Sequence, residues 1–90
     1  MPIIKIPTSL RPYTEGNKEI IVEGKNVNEA LQSLSAIYPN ISKNLYNDAG
    51  KLRAFVNIFM GESHINDLQG LETPLTENEL LRIIPSIAGG

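Results

Sequence analysis

The sequence predicts an α+β domain in which one main helix covers one face of a mixed sheet of four or five strands. Two short apolar segments, separated by a polar connection with proline and glycine, open the chain and indicate an antiparallel hairpin. One amphipathic segment then has helical spacing, and two alternating apolar segments follow it. One helix against one face of a sheet is an economical way to bury both apolar surfaces.

The hairpin and the helix are predicted from local signals. Residues 3–6 and 18–23 form the two strands, which end at Pro7 and Gly24. Asn26 is predicted to cap the helix, with Glu29 in the capping-box position and Pro39 as the terminator. The apolar stripe of the helix consists of Val27, Ala30, Leu31, Leu34, Ile37 and Tyr38.

Two further strands complete the predicted sheet. Residues 53–60 alternate, so that Ala54, Val56, Ile58 and Met60 are expected to face the helix while Phe55, Asn57 and Phe59 lie on the opposite face. Residues 80–84 form the last strand, with Leu81 and Ile83 on one face and Arg82 and Ile84 on the other. This order of elements predicts a single β-grasp domain over residues 1–90.

The composition excludes several classes of function. The chain has 90 residues, a 41% hydrophobic share and a net charge of −2, which suits one globular domain and disfavours nucleic acid or a membrane as a partner. No signal peptide is recognisable, so we expect a cytoplasmic location. Because the sequence contains no cysteine, disulfides, a thiol nucleophile and thiolate-bound metals are excluded.

No side chain is predicted to be catalytic or to bind a metal. Ser63, His64 and Asp67 are too close together on a short segment to converge as a hydrolytic triad. A single histidine without cysteine also disfavours a zinc site. We therefore interpret His64 as a surface residue of a short edge segment.

The chain ends in Gly89 and Gly90 after an apolar strand and a proline. Glycine has no Cβ, so such an end can lie extended in a channel too narrow for side chains. Its carboxylate is a poor electrophile until one oxygen becomes a leaving group, which makes it a substrate for an activating enzyme. A glycine-rich chain end without a function is the alternative interpretation.

The sequence resembles the ubiquitin-like sulfur carriers of the MoaD/ThiS family over nearly its whole length. Within that family it is most similar to the carriers of thiocarboxylate-dependent cysteine synthesis. The segments that carry this similarity are residues 6–8, 10–12, 51–52, 55–58 and 84–90. One departure is Asn78, which replaces a glycine common in the turn before the last strand, although asparagine also tolerates a positive φ.

The resemblance implies that the protein is not an enzyme and binds no cofactor itself. An E1-like enzyme would use ATP to adenylate the Gly90 carboxylate, and sulfur would then displace AMP to leave a thiocarboxylate. A flexible tail from about residue 85 would thread into the partner through Ser86, Ile87, Ala88 and Gly89. The expected acceptor is a pyridoxal-phosphate-dependent cysteine synthase, with a metalloprotease that releases the product.

An interface for these partners is predicted on the sheet face away from the helix, because one helix covers only one face. Aromatic and arginine side chains with an apolar patch are typical of such interfaces. The alternative is that loops or a second copy cover this face. The predicted interface residues are Phe55, Asn57, Phe59, Arg82 and Ile84.

Two other functions share the same tail. The chain could be the small subunit of molybdopterin synthase or the carrier of the thiamine pathway, where the tail enters the active site of a partner. It could also be a protein modifier that forms isopeptide bonds to lysines. The sequence leaves the acceptor open.

Overall fold

The last strand of the chain lies at the centre of a five-stranded sheet. The computed structural model describes residues 1–86, and its strand order is β2-β1-β5-β3-β4. β5 runs parallel to β1 and antiparallel to β3, and the two outer pairs are antiparallel. The elements are β1 (Ile3–Lys5), β2 (Glu19–Ile21), α1 (Val27–Ile37), α2 (Ser42–Leu45), β3 (Val56–Met60), β4 (Ser63–His64) and β5 (Leu80–Pro85).

Short 3₁₀ helices fill several connections that the sequence indicated only as loops. The segment Thr8–Thr14 follows β1, and its Leu10 and Thr14 are buried. Pro39–Ile41 leads into the short helix α2, in which Leu45 is buried. Ile65–Asp67 and Gly70–Glu72 connect β4 to the last strand.

The helix α1 begins where its capping residues predict. The Asn26 side chain accepts a hydrogen bond from the Glu29 backbone N–H at 2.8 Å. The Glu29 carboxylate in turn accepts from the Lys25 backbone N–H at 2.9 Å. Both bonds satisfy amide groups that the first helical turn leaves free.

The core lies between α1 and one face of the sheet. The aliphatic residues of β5 and β3 that the alternation assigned to this face, Leu81, Ile83, Val56 and Ile58, are all buried. From α1, the buried residues are Val27, Ala30, Leu31 and Leu34. The predicted α+β class and the mixed sheet are therefore confirmed.

The predicted start of the third strand is wrong. β3 begins at Val56, because the Val56 N–H donates to the Arg53 carbonyl at 3.0 Å and closes a turn over residues 53–56. Ala54 lies in this turn and is exposed, so it does not face the helix. Alternation in the sequence could not reveal this turn, because its residues continue the same apolar pattern.

Asn78 adopts the left-handed conformation, with φ of 64°. This confirms the expectation that asparagine adopts a positive φ in the turn before β5. Asparagine is among the few residues with a side chain that adopt this region readily.

Gly24 is required by a close approach of two backbones. A Cβ at this position would lie 2.6 Å from the Ala30 backbone nitrogen in α1. Because the obstacle is backbone within a helix, it cannot move aside as a flexible side chain could. Gly24 therefore does more than end the strand region, and it allows the chain to pass against the start of α1.

We expect Gly24→Ala to lower the free energy of unfolding by about 1–3 kcal/mol, the usual cost of overpacking. Urea denaturation measures this change. The control is Lys25→Ala, which removes an exposed neighbouring side chain and should alter stability by less than about 0.5 kcal/mol. Equal denaturation midpoints for the two variants would contradict the proposed close approach.

Candidate functional site

The sheet face opposite α1 brings together most of the residues predicted as an interface. In the register of β3 and β5, Asn57 lies opposite Ile84 and Phe59 lies opposite Arg82. Ile84 is 41% exposed, whereas the other three side chains are partly buried. We call this surface, formed by Asn57, Phe59, Arg82 and Ile84, the open face.

Phe59 is held between two neighbours on the open face. Its ring meets the His64 ring edge-on, with centroids 5.1 Å apart. The Arg82 guanidinium lies 5.6 Å from the centre of the same ring, a cation–π distance. Arg82 also donates from Nη2 to the Gly61 carbonyl at 2.8 Å, so its guanidinium group is fixed in place.

Phe55 occupies a different position from the one predicted. It precedes β3 in the turn and is 42% exposed. Its carbonyl accepts a hydrogen bond from the Ser86 N–H at 2.7 Å. Phe55 therefore lies beside the end of β5, next to the open face but outside the alternation of the strand.

The end of β5 and the residue after it contact β3 through both backbone pairing and a side-chain hydrogen bond. Pro85 is the last residue of the strand and lies opposite Val56. The Asn57 amide donates from Nδ2 to the Ser86 Oγ at 2.7 Å. Residues 85 and 86, where the tail was predicted to start, are thus in contact with the sheet.

The remaining tail residues lie outside the described part of the chain. These are Ile87, Ala88, Gly89 and Gly90. Their predicted roles in threading and sulfur attachment stay predictions.

A groove of about 450 Å³ runs beside the end of β5. It is lined by four cationic residues and one acidic residue, Glu19, together with apolar parts of β5. Lys5 is the register partner of both Glu19 and Arg82. We call this cavity the basic groove, after its four cationic residues Lys5, Arg11, Lys18 and Arg82.

Sequence reasoning missed the basic groove, because the overall charge is negative and no run of basic residues occurs. The four residues come from four separate segments that only the sheet order brings together. The alternation of β1 does indicate that Lys5 lies on the sheet face away from the helix. The parallel pairing that sets Lys5 beside Arg82 could not be read from local sequence.

His64 is more than the surface residue that we expected. It lies at the end of the predicted edge segment, β4, and is partly buried. Its Nε2 lies 3.0 Å from the Asn57 Oδ1. His64 therefore borders the open face, on the neighbouring strand of the β3–β4 hairpin.

The described residues offer little for metal or membrane chemistry. Within residues 1–86, three His, Asp or Glu side chains nowhere come together as metal ligands. The helices of that region are all too short or too polar to span a bilayer.

The topology, with α1 on one face and β5 central, defines a β-grasp domain of the ubiquitin-like class. The model of the ThiS family matches residues 4–90. The chain therefore belongs to the ThiS family.

Known relatives match over almost the full length. The sulfur carrier protein CysO of Mycobacterium tuberculosis is 35% identical over 97% of this chain and 96% of its own. The Amycolatopsis orientalis BexX/CysO complex contains a chain that superposes with a TM-score of 0.89 at 29% identity, with both chains covered completely. The small archaeal modifier protein SAMP1 of Methanosarcina acetivorans superposes with a TM-score of 0.89 at 27% identity, over 99% of this chain and 95% of that one.

The two phenylalanines should differ in their contribution to stability. We expect Phe59→Ala to lower the free energy of unfolding by about 1–2 kcal/mol, because it removes the ring packed against His64 and Arg82. Phe55→Ala, the matched control, should cost less than about 1 kcal/mol, since its ring is already substantially exposed. Chemical denaturation compares the two variants, and an equal loss in both would contradict the described packing.

Proposed function

We propose that this protein is a sulfur carrier whose Gly90 carboxylate becomes a thiocarboxylate. The observation that carries the proposal is membership of the ThiS family, with a match that extends to the terminal diglycine. The similarity to a protein named as a sulfur carrier supports it. In this proposal, partner enzymes perform the chemistry and this chain is their substrate.

The proposed activation proceeds in two steps, adenylation of the carboxylate and displacement of AMP by sulfur. A Gly90 carboxylate oxygen attacks the α-phosphorus of ATP on an E1-like enzyme, pyrophosphate leaves, and an acyl adenylate forms. A nucleophile of the hydrosulfide class then adds to the carbonyl carbon. The C–O bond to AMP breaks, AMP leaves with its electron pair, and the proton of the hydrosulfide passes to solvent.

The open face and the basic groove suit the docking of such an enzyme. They combine an exposed aliphatic residue, a fixed arginine and a half-buried aromatic ring beside the point where the tail begins. Interfaces favour these residue types. The cations of the basic groove favour an acidic partner surface, and their attraction would accelerate encounter at low salt.

A cysteine precursor is the favoured acceptor of the sulfur. The CysO similarity supports it, and a pyridoxal-phosphate-dependent cysteine synthase would be the acceptor, with a metalloprotease that frees the product. The relative in the BexX/CysO complex is bound to another protein, which supports delivery by direct docking. Transfer to a pterin or to a thiazole remains the alternative within the same chemistry.

A second candidate function is protein modification. The SAMP1 relative is named as a modifier and superposes as well as the carrier does. Both functions need an adenylated C-terminal glycine, and they diverge only in the nucleophile that attacks it. A lysine amine gives an isopeptide bond, whereas hydrosulfide gives a thiocarboxylate.

Intact mass spectrometry tests the proposal directly. The protein is incubated with its cognate activating enzyme, ATP and sulfide, and we expect a mass gain equal to the exchange of one oxygen for one sulfur. The same mixture without ATP is the control. Ladders of conjugates would instead support the modifier function, and an unchanged mass with the cognate enzyme would contradict both.

Deletion of Gly90 should abolish activation and leave stability almost unchanged. The reason is that the reacting carboxylate would then belong to Gly89, one residue short of its normal reach, whereas the core of the described part of the chain is formed by residues between Ile4 and Ile83. Addition of one residue after Gly90 should act in the same way. ATP–pyrophosphate exchange and thermal denaturation measure the two effects, and a large loss of melting temperature would assign the tail a structural role.

Ile84→Asp should weaken binding of the activating enzyme about tenfold or more, because it places a charge at the centre of an apolar contact. Ile37→Asp is the matched control, since Ile37 is 51% exposed at the end of α1. Arg82→Glu should slow association and reduce its salt dependence. Calorimetry and stopped-flow association measure these effects, and unaltered affinity for Ile84→Asp and Arg82→Glu would exclude the open face.

A further inference from the structure

Three polar side chains form a continuous hydrogen-bonded chain from the edge of the sheet to the last described residue. They are His64 at the end of β4, Asn57 in β3 and Ser86 after β5. The Asn57 amide lies in the middle, with Oδ1 at 3.0 Å from His64 Nε2 and Nδ2 at 2.7 Å from Ser86 Oγ. We call this chain the tail clamp.

The bonding partners assign a donor and an acceptor to both hydrogen bonds of the tail clamp. The Asn66 backbone N–H donates to His64 Nδ1 at 3.0 Å, so Nδ1 is the acceptor nitrogen. In the neutral ring the hydrogen then lies on Nε2, which donates to Asn57 Oδ1. With its oxygen occupied, the Asn57 amide presents its NH₂ group to Ser86.

The packing around the tail clamp restricts the imidazole ring. The Phe59 ring contacts His64 edge-on, and the Arg82 guanidinium lies over the Phe59 ring. His64 is therefore held by a backbone hydrogen bond on one nitrogen and by an aromatic ring beside it. A restricted imidazole in turn restricts the Asn57 amide.

Ser86 is consequently held at two atoms. Its N–H donates to the Phe55 carbonyl at 2.7 Å, and its hydroxyl accepts from Asn57. The residue before it is Pro85, which has no backbone N–H to add a further ladder bond. The two bonds of Ser86 therefore act at the point where strand pairing ends.

We propose that the tail clamp fixes the origin of the C-terminal segment, and that His64 is its positioning residue. Residues 87–90 span at most about 14 Å when extended, so the position of Ser86 limits where Gly90 can reach. His64 acts through Asn57 and does not touch the reacting carboxylate. The consequence for activation depends on the proposed sulfur-carrier function, whereas the tail clamp itself does not.

Amide hydrogen exchange tests the tail clamp on the isolated full-length protein. We expect His64→Ala to accelerate exchange of the Ser86 N–H by about threefold to tenfold, the equivalent of one ordinary hydrogen bond. Amides of buried Ile58 and Leu81 in the same sample report global stability, and their exchange should accelerate less than that of the Ser86 N–H. His64→Gln retains an N–H donor and should restore much of the protection.

Two further measurements separate positioning from general stability. Nitrogen-15 NMR of the His64 ring should give the tautomer protonated on Nε2 in the wild type. Ser86→Ala should remove the hydrogen bond between the Asn57 amide and residue 86. The control is Ser33→Ala, which removes a serine hydroxyl bonded to the Glu23 carbonyl at 2.7 Å and should leave the hydrogen bonds of the tail clamp intact.

Activation kinetics then test the consequence for function. With the activating enzyme, His64→Ala should lower kcat for adenylate formation by about threefold to tenfold, because the C-terminal segment is correctly placed in fewer of the bound molecules. KM should remain nearly unchanged, because docking through Ile84 and Arg82 persists. His64→Gln should recover much of the rate. A pure stability effect would show no such recovery.

Each possible result bears on the proposal. Unchanged Ser86 exchange in His64→Ala, or equal acceleration at Ile58 and Leu81, would overturn the tail clamp. Faster Ser86 exchange with an unchanged kcat would overturn the positioning role of His64. If the wild type is never activated, the proposed sulfur-carrier function fails, and the exchange experiment still decides whether the tail clamp exists.

Discussion

The pairing of β5 with both β1 and β3 is the constraint on which the rest of the structure depends. β5 is the central strand, so its backbone groups are bonded on both sides. Its side chains alternate, with Leu81 and Ile83 buried under α1 and with Arg82 and Ile84 on the open face. One strand therefore joins the core, the candidate docking surface and the C-terminal segment.

This position explains how the side chains of the open face are held in place although α1 does not cover them. The residues of the face are fixed from below by the β3–β5 register and from the side by specific contacts. Arg82 is bonded to the Gly61 carbonyl and stacked on Phe59. A surface held in this way loses little side-chain freedom when a partner binds, which lowers the entropic cost of association.

The sequence predicted the elements whose signals are local. The capped helix, the first hairpin and the alternation of β5 were all confirmed, because capping residues and apolar periodicity act within a few positions. The start of β3 was mispredicted, since the turn over residues 53–56 depends on a backbone bond rather than on residue type. The basic groove depends on the pairing of β1 with β5, which joins segments far apart in the chain. The contact between His64 and Asn57 spans only the β3–β4 hairpin, but it depends on the side-chain conformations of both residues, which residue types alone do not specify.

Alternation along β5 also separates the demands of stability from those of recognition. Substitutions on the buried side change the packing against α1, whereas substitutions at Arg82 or Ile84 change a surface with little share in the core. The chain leaves β5 beyond both, at Ser86, which is hydrogen-bonded to Phe55 and Asn57. Hydrogen bonds near solvent contribute little net energy, so this attachment sets the position of Ser86 without adding much to the stability of the core.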